Sequence, residues 1–140
     1  MSLEGVAVRV GRDVVGIGAG VPIGVSAAVL IGGTNDMSTN QKMGCRWEVT
    51  DPDGQLADSY EDWEAFWTGP GLEHGFVGNQ FSIDKPGNWN IIVELLMNPD
   101  APVIVDSYVG LLCVVTEVFA GSITRKELDY DAVRVPFPLS

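Results

Sequence analysis

The run from Val15 to Ile31 alternates without a break. Val15, Ile17, Ala19, Val21, Ile23, Val25, Ala27, Val29 and Ile31 are apolar, and Gly16, Gly18, Gly20, Pro22, Gly24, Ser26, Ala28 and Leu30 stand between them. A strand turns successive side chains to opposite faces, whereas a helix returns to one face about every 3.6 residues. The period of two therefore commits this segment to sheet. It also decides against two other readings of a stretch with no charged residue from Val14 to Gly33. A membrane-spanning helix of about twenty residues has no reason to alternate. A dinucleotide loop needs a third glycine in G-x-G-x-x-G, and positions 21 and 23 hold Val21 and Ile23. No Lys-Ser/Thr pair follows to make a phosphate loop. The run is longer than a usual strand of about five to ten residues, and Pro22 cannot donate to a ladder. Two short strands are expected, near 13–18 and 23–31, the first an edge strand that bends or changes sheets at its glycines.

The same period recurs along the chain. "MGCRWEVT" places Met43, Cys45, Trp47 and Val49 on one face and Gly44, Arg46, Glu48 and Thr50 on the other. "DPDG" at 51–54 is a turn, because proline presets φ and glycine accepts a positive φ. Phe81 and Ile83 point inward from "QFSID", and "WNIIVELLM" aligns Trp89, Ile91, Val93, Leu95 and Met97. In "YVGLLCVVTE" the same parity aligns Val109, Leu111, Cys113 and Val115, with apolar residues on the second face too, as for a central or covered strand. Val6, Val8 and Val10 make a short first strand. The seventeen glycines and eight prolines supply the turns that such a chain needs.

One segment departs from the pattern. In "YEDWEAFWTGPG", Tyr60, Trp63 and Trp67 fall at i, i+3 and i+7 with Phe66 beside them, which predicts a short helical turn near 59–67 capping the core. After Glu117 the chain turns charged and then ends in Val133, Val135, Phe137 and Leu139, an outer hairpin or arm. The chain is read as a sandwich domain over 1–117 with an extension over 118–140.

The order of these parts resembles an immunoglobulin-like or fibronectin type III-like β-sandwich over roughly residues 6–117. The resemblance rests on "GVPIGVSAAVLIGG" as a second strand, on "CRWEVTDPDG" as a tryptophan strand and turn, and on "SIDKPGNWNIIVEL" as the corner before the penultimate strand. It implies an all-β, two-sheet antiparallel sandwich. It also implies that Trp89, standing where that family has a corner tyrosine, bonds back to preceding backbone through its indole N–H. Ile91 stands where an antibody domain has its second cysteine, so that disulfide is missing. Cys45 and Cys113 both point inward by parity; they pair if their strands approach closely, and otherwise are buried free thiols, the leading reading because cysteine packs as a small hydrophobe.

A net charge of −11 repels polyanions, which argues against nucleic acid as a partner. The opening "MSLEG" has no basic segment or signal core, and no compartment follows from it. His74 is the only histidine, in a segment without a nucleophile or orienting group beside it. Acids cluster at Asp51, Asp53, Asp58, Glu61, Asp62 and Glu64, but an EF-hand counted from Asp51 has Leu56 where glycine is required. Calcium is left with a looser site between loops, and no other cofactor is indicated. The leading expectation is a non-catalytic module with a structural or protein-interaction role in an assembly. Its partner is another protein, or itself through Val133, Val135, Phe137 and Leu139. A second reading is carbohydrate binding on Tyr60, Trp63, Phe66 and Trp67, with neighbouring acids accepting sugar hydroxyls. A third is a hydrolase using Asp51, Asp53 or Glu61.

Overall fold

The alternating segments become two sheets packed face to face in a computed structural model that describes residues 2–10, 13–117, 121–123, 127–130 and 133–136. Among these residues there is no helix. The strands are β1 Ser2–Val10, β2 Asp13–Gly16, β3 Ala19–Pro22, β4 Ser26–Thr34, β5 Met43–Thr50, β6 Leu56–Trp63, β7 Glu73–Val77, β8 Phe81–Ser82, β9 Gly87–Met97, β10 Val103–Thr116, β11 Glu127–Tyr130 and β12 Val133–Pro136. One sheet runs β2-β1-β4-β7, with β8 also on β4; the other runs β3-β10-β9-β5-β6; β11 and β12 pair in a sheet of their own. Every pairing is antiparallel except β3 on β10, which is parallel.

The odd-numbered ladder does what its period dictates. Val21, Ala27, Val29 and Ile31 are buried, while the even positions from Val14 to Ser26 are exposed. The first part of the run is the outer strand of one sheet as β2. It crosses at Gly16–Gly18 to become the outer strand of the other sheet as β3, and Gly18 takes a φ of +81° at the crossing. Pro22 closes that edge strand, where its missing N–H leaves no gap in a ladder. Three strands thus stand where two were expected: β2 and β4 lie near the expected 13–18 and 23–31, and β3 lies between them in the other sheet.

The core between the sheets is filled by Val29 and Ile31 from one side and by Trp47, Trp89, Ile91, Val93 and Leu95 from the other, each 2 % exposed or less. A fully buried aliphatic side chain of this kind contributes about 1.5–3 kcal/mol. Trp89 donates its indole N–H to the Lys85 carbonyl at 3.0 Å, the backbone bond expected of it. The Asp51–Gly54 turn closes with Gly54 N–H on Asp51 O at 3.0 Å and a φ of +81° at Gly54.

Two expectations are corrected. Residues 56–63 form strand β6 rather than a helical turn: Tyr60 pairs opposite Trp47 and Trp63 opposite Gly44, on opposite faces of the strand. The i, i+3 spacing of those rings reflects one ring per face, not one helical stripe. In β10 the parity breaks at a bulge between Leu111 and Cys113, so Cys113 and Val115 are buried but Val109 is 71 % exposed. Leu112 takes the buried place instead. Phe137 and Leu139 lie outside the described residues, as do the side chains of Val133 and Val135; the backbone of the latter two is in β12. No helix among the described residues is long and apolar enough to cross a membrane.

Candidate functional site

The four aromatic residues singled out in the sequence separate into two pairs. Tyr60, on the inner side of β6, lies flat on Trp47 with ring centroids 3.9 Å apart and planes 7° from parallel. It covers the open side of the core. Trp63 lies on the outer face over Gly44, where an added Cβ would come within 2.6 Å of the indole. These two rings are structural. Phe66 and Trp67 stand in the loop after β6, 80 % and 63 % exposed.

That loop is held from beneath by polar side chains. Glu64, buried at its root, accepts the Met43 N–H at 2.8 Å and the Thr68 hydroxyl at 2.7 Å, and its second oxygen lies 3.3 Å from His74 Nδ1. The ring of His74 meets Phe76 edge-on at 4.7 Å. Asn35, wholly buried at the end of β4, donates to the carbonyls of Thr68 at 2.7 Å and Thr39 at 3.0 Å, and its Oδ1 accepts the Met37 N–H at 2.8 Å. Backbone bonds complete the weave: Gln41 and Thr68 exchange both of theirs at 2.9 and 2.8 Å, Asn35 N–H reaches Leu72 O, and Gly71 N–H reaches Asn35 O. Gly71 makes that last bond with a φ of +77°, which a side chain would strain. Among the described side chains no buried nitrogen or oxygen lacks a partner. The result is a fixed platform from two interlocked loops, 35–42 and 64–72, in which Phe66, Trp67, Leu72 (61 % exposed) and Met37 (49 %) are each exposed.

The sequence pointed to the rings but not to what holds them. Asn35, Thr68 and Met37 were missed. The signal was the polar cluster "TNDMSTN" directly after a fully apolar strand, where a buried backbone end needs a side-chain partner. His74, which has no orienting group beside it in the sequence, touches Glu64 from β7.

The acids do not converge. Asp51 is a staple for its own turn, accepting the N–H groups of Asp53 and Gln55 at 2.9 Å each and Lys85 Nζ at 2.7 Å. The Lys85 ammonium, with those two amides, holds the Asp51 carboxyl below the usual carboxylate range. Asp53 reaches the same lysine at 3.2 Å. Glu61 lies on β6 opposite Arg46, away from that turn. Asp58 accepts the Trp47 indole N–H at 3.1 Å, and burial raises its carboxyl. Among the described residues no three His, Cys, Asp or Glu side chains are grouped so as to hold a metal ion.

A shallow depression of about 410 Å³ lies on the outer face of β5, β6 and β9, lined by Arg46, Glu48, Ser59, Glu61, Ile92 and Glu94. Arg46 crosses it to bond Glu94 at 2.7 Å. Its acids are surface groups around a paired arginine.

No protein-family model matches the chain, and a comparison with curated proteins finds no relative.

Proposed function

We propose that the chain is an immunoglobulin-like β-sandwich module that works by docking onto a protein partner within an assembly, without catalysis, and that the Phe66–Trp67 loop is its contact point. The strand order β10-β9-β5-β6 matches the G-F-C-C′ order of such sandwiches, with β4 as the second strand in the opposite sheet. The observation that carries the docking reading is the contrast within one loop: two large rings in water above a base with every described polar group paired. A pinned loop loses little freedom on binding, and aromatic anchors in such settings dominate interface energies.

A protein surface suits the site better than a sugar. Glu64, the acid nearest in sequence to the rings, spends its oxygens inward on Met43, Thr68 and His74. Asp62 bonds the Trp63 N–H. The two acids that flank the rings in sequence thus have oxygens committed within the fold, which leaves the exposed rings themselves as the leading contact.

The test places a benzoylphenylalanine photo-crosslinker at position 66 in the native host. One protein adduct should form, and Trp67→Ser should remove it. Absence of any protein adduct overturns the reading. So does glycan-array binding that Trp67→Ser abolishes, which would make the rings a sugar platform.

A further inference from the structure

The hydrogen bonds of Met43 fix which way the backbone groups of the second sheet point. Its N–H donates to Glu64 Oε1 at 2.8 Å and its carbonyl accepts the Glu64 N–H at 2.9 Å, so both face the β6 side. In an antiparallel ladder that direction alternates from residue to residue. Cys45 and Trp47 therefore face β6, while Arg46 and Glu48 face β9. Their partners Asp62 and Tyr60 face β5, which leaves Ser59, Glu61 and Trp63 turned to the outer side of β6. Across the sheet, Glu94 and Ile92 face β5, so Leu95 and Val93 face β10. Their partners Asp106 and Tyr108 face β9, and Ser107 and Val109 are turned to the second edge of β10.

Both of these edges lack a paired strand among the described residues. β6 ends the sheet, and β3 covers the second edge of β10 only along Cys113–Thr116. An outward N–H on such an edge is the group that an added strand pairs with. On each edge an aspartate takes it first. Trp63 N–H donates to Asp62 Oδ1 at 2.9 Å, and Ser107 N–H donates to Asp106 Oδ1 at 2.8 Å. In both cases the carboxylate belongs to the preceding residue, whose own backbone faces into the sheet, and the short side chain folds back along the strand. Asp58 precedes the outward N–H of Ser59 in the same way. Water satisfies an exposed N–H as well as a carboxylate does, so the fold itself does not call for these bonds.

We propose that these aspartates close the open sheet edges against strand addition, so that the chain enters an assembly without polymerising through its sheets. Each carboxylate occupies a donor and sets a negative charge where the carbonyl oxygen of an incoming strand has to lie. On β10 they are helped by register shifts at Ile104/Asp106 and Leu111/Cys113 and by β1, which packs against that strand. β6 pairs in regular register from Asp58 to Trp63, and there the aspartates are the main guard. The proposal holds whatever the Phe66–Trp67 loop touches.

The test separates the bond from the charge. Asp62→Ala with Asp106→Ala removes acceptor and charge together. Asp62→Asn with Asp106→Asn removes the same charge and keeps an oxygen that accepts. Sedimentation is run in about 1 M salt, where screening acts beyond about 3 Å and the net −11 no longer holds copies apart. The alanine pair should associate with an unchanged melting temperature, and the asparagine pair should keep the wild-type mass. Glu61→Pro with Val109→Pro, added to the alanine pair, should reverse the association, since proline removes an outward N–H that makes no bond within the sheet. Amide exchange reads the caps directly: Trp63 and Ser107 should exchange more slowly than Glu61 and Val109, and lose that protection in the alanine pair but not in the asparagine pair. An alanine pair of wild-type mass overturns the proposal. So does an asparagine pair that associates as strongly, which would make charge alone the guard, or an association that the prolines leave in place.

Discussion

At Gly78 the indole of Trp47 leaves no room for a side chain. A Cβ there would lie 2.6 Å from the edge of that ring and 3.4 Å from the Val29 carbonyl. Trp47 cannot retreat, because Tyr60 is stacked on it at 3.9 Å and its N–H is committed to Asp58. Gly78→Ala should therefore destabilise the fold by about 1–3 kcal/mol, the usual cost of overpacking a filled core, read as a lower urea midpoint. Asn35 makes the opposite kind of contribution. Asn35→Leu removes the partners of the Met37 N–H and the Thr39 carbonyl, and one of those on Thr68, at a cost of about 2 kcal/mol. Hydrogen exchange should quicken in loops 35–42 and 64–72 before it does in the strands. The two thiols are a third case. Burial pushes Cys45 up to about 12 and Cys113 up to about 11, so neither is a thiolate near neutral pH. They also cannot bridge. Cys45 faces Leu95 and Cys113 faces Trp89 on β9, about 20 Å apart along the strand, at about 3.3 Å per residue. Ellman's reagent should find no thiol in the native protein and two in urea; rapid native labelling would contradict the burial.

At the scale of elements, the period of two was legible because each buried strand repeats it many times. β4, β5 and β9 place their inward residues where parity puts them. Even the crossing between sheets left a trace in the glycines around Gly18. β6 was illegible for a definite reason: it is an edge strand with intermediate burial on its inner side, so its ring spacing mimicked a helix. The reversal within β10 left no trace, since a bulge is one extra residue whose position only a partner strand defines. Parallel pairing of β3 with β10 was equally invisible, because the residues concerned are nearly a hundred positions apart. Of the candidate site, the rings could be read in advance but not their division. Tyr60 and Trp63 are placed by their register on β5, and the loop that carries Phe66 and Trp67 is tied down by loop 35–42, so both settings come from outside the segment that carries the rings.

For the molecule as a whole, acidity sets the response to pH. Asp51 is held below its ordinary range by Lys85, so its contribution is complete above the unfolded carboxylate range. As pH falls through the depressed value that contribution is lost, since the folded state must then take up the proton it had resisted. Lys85→Met should lower stability near neutrality and flatten the acid limb of a stability–pH curve measured by urea titration. An equally steep acid limb in the variant would place the origin of the acid sensitivity elsewhere.

The parallel seam between β3 and β10 also bears on how the chain is made. Ala19–Pro22 leaves the ribosome early and Cys113–Thr116 late, yet each is the other's neighbour. The second sheet therefore cannot close until almost the whole sandwich has been synthesised. Sequence-distant pairing of this kind slows folding, and the early strands must wait with their edges open. The scarcity of bulky residues among the even positions from Gly16 to Gly24 suits a segment that spends that interval without a partner.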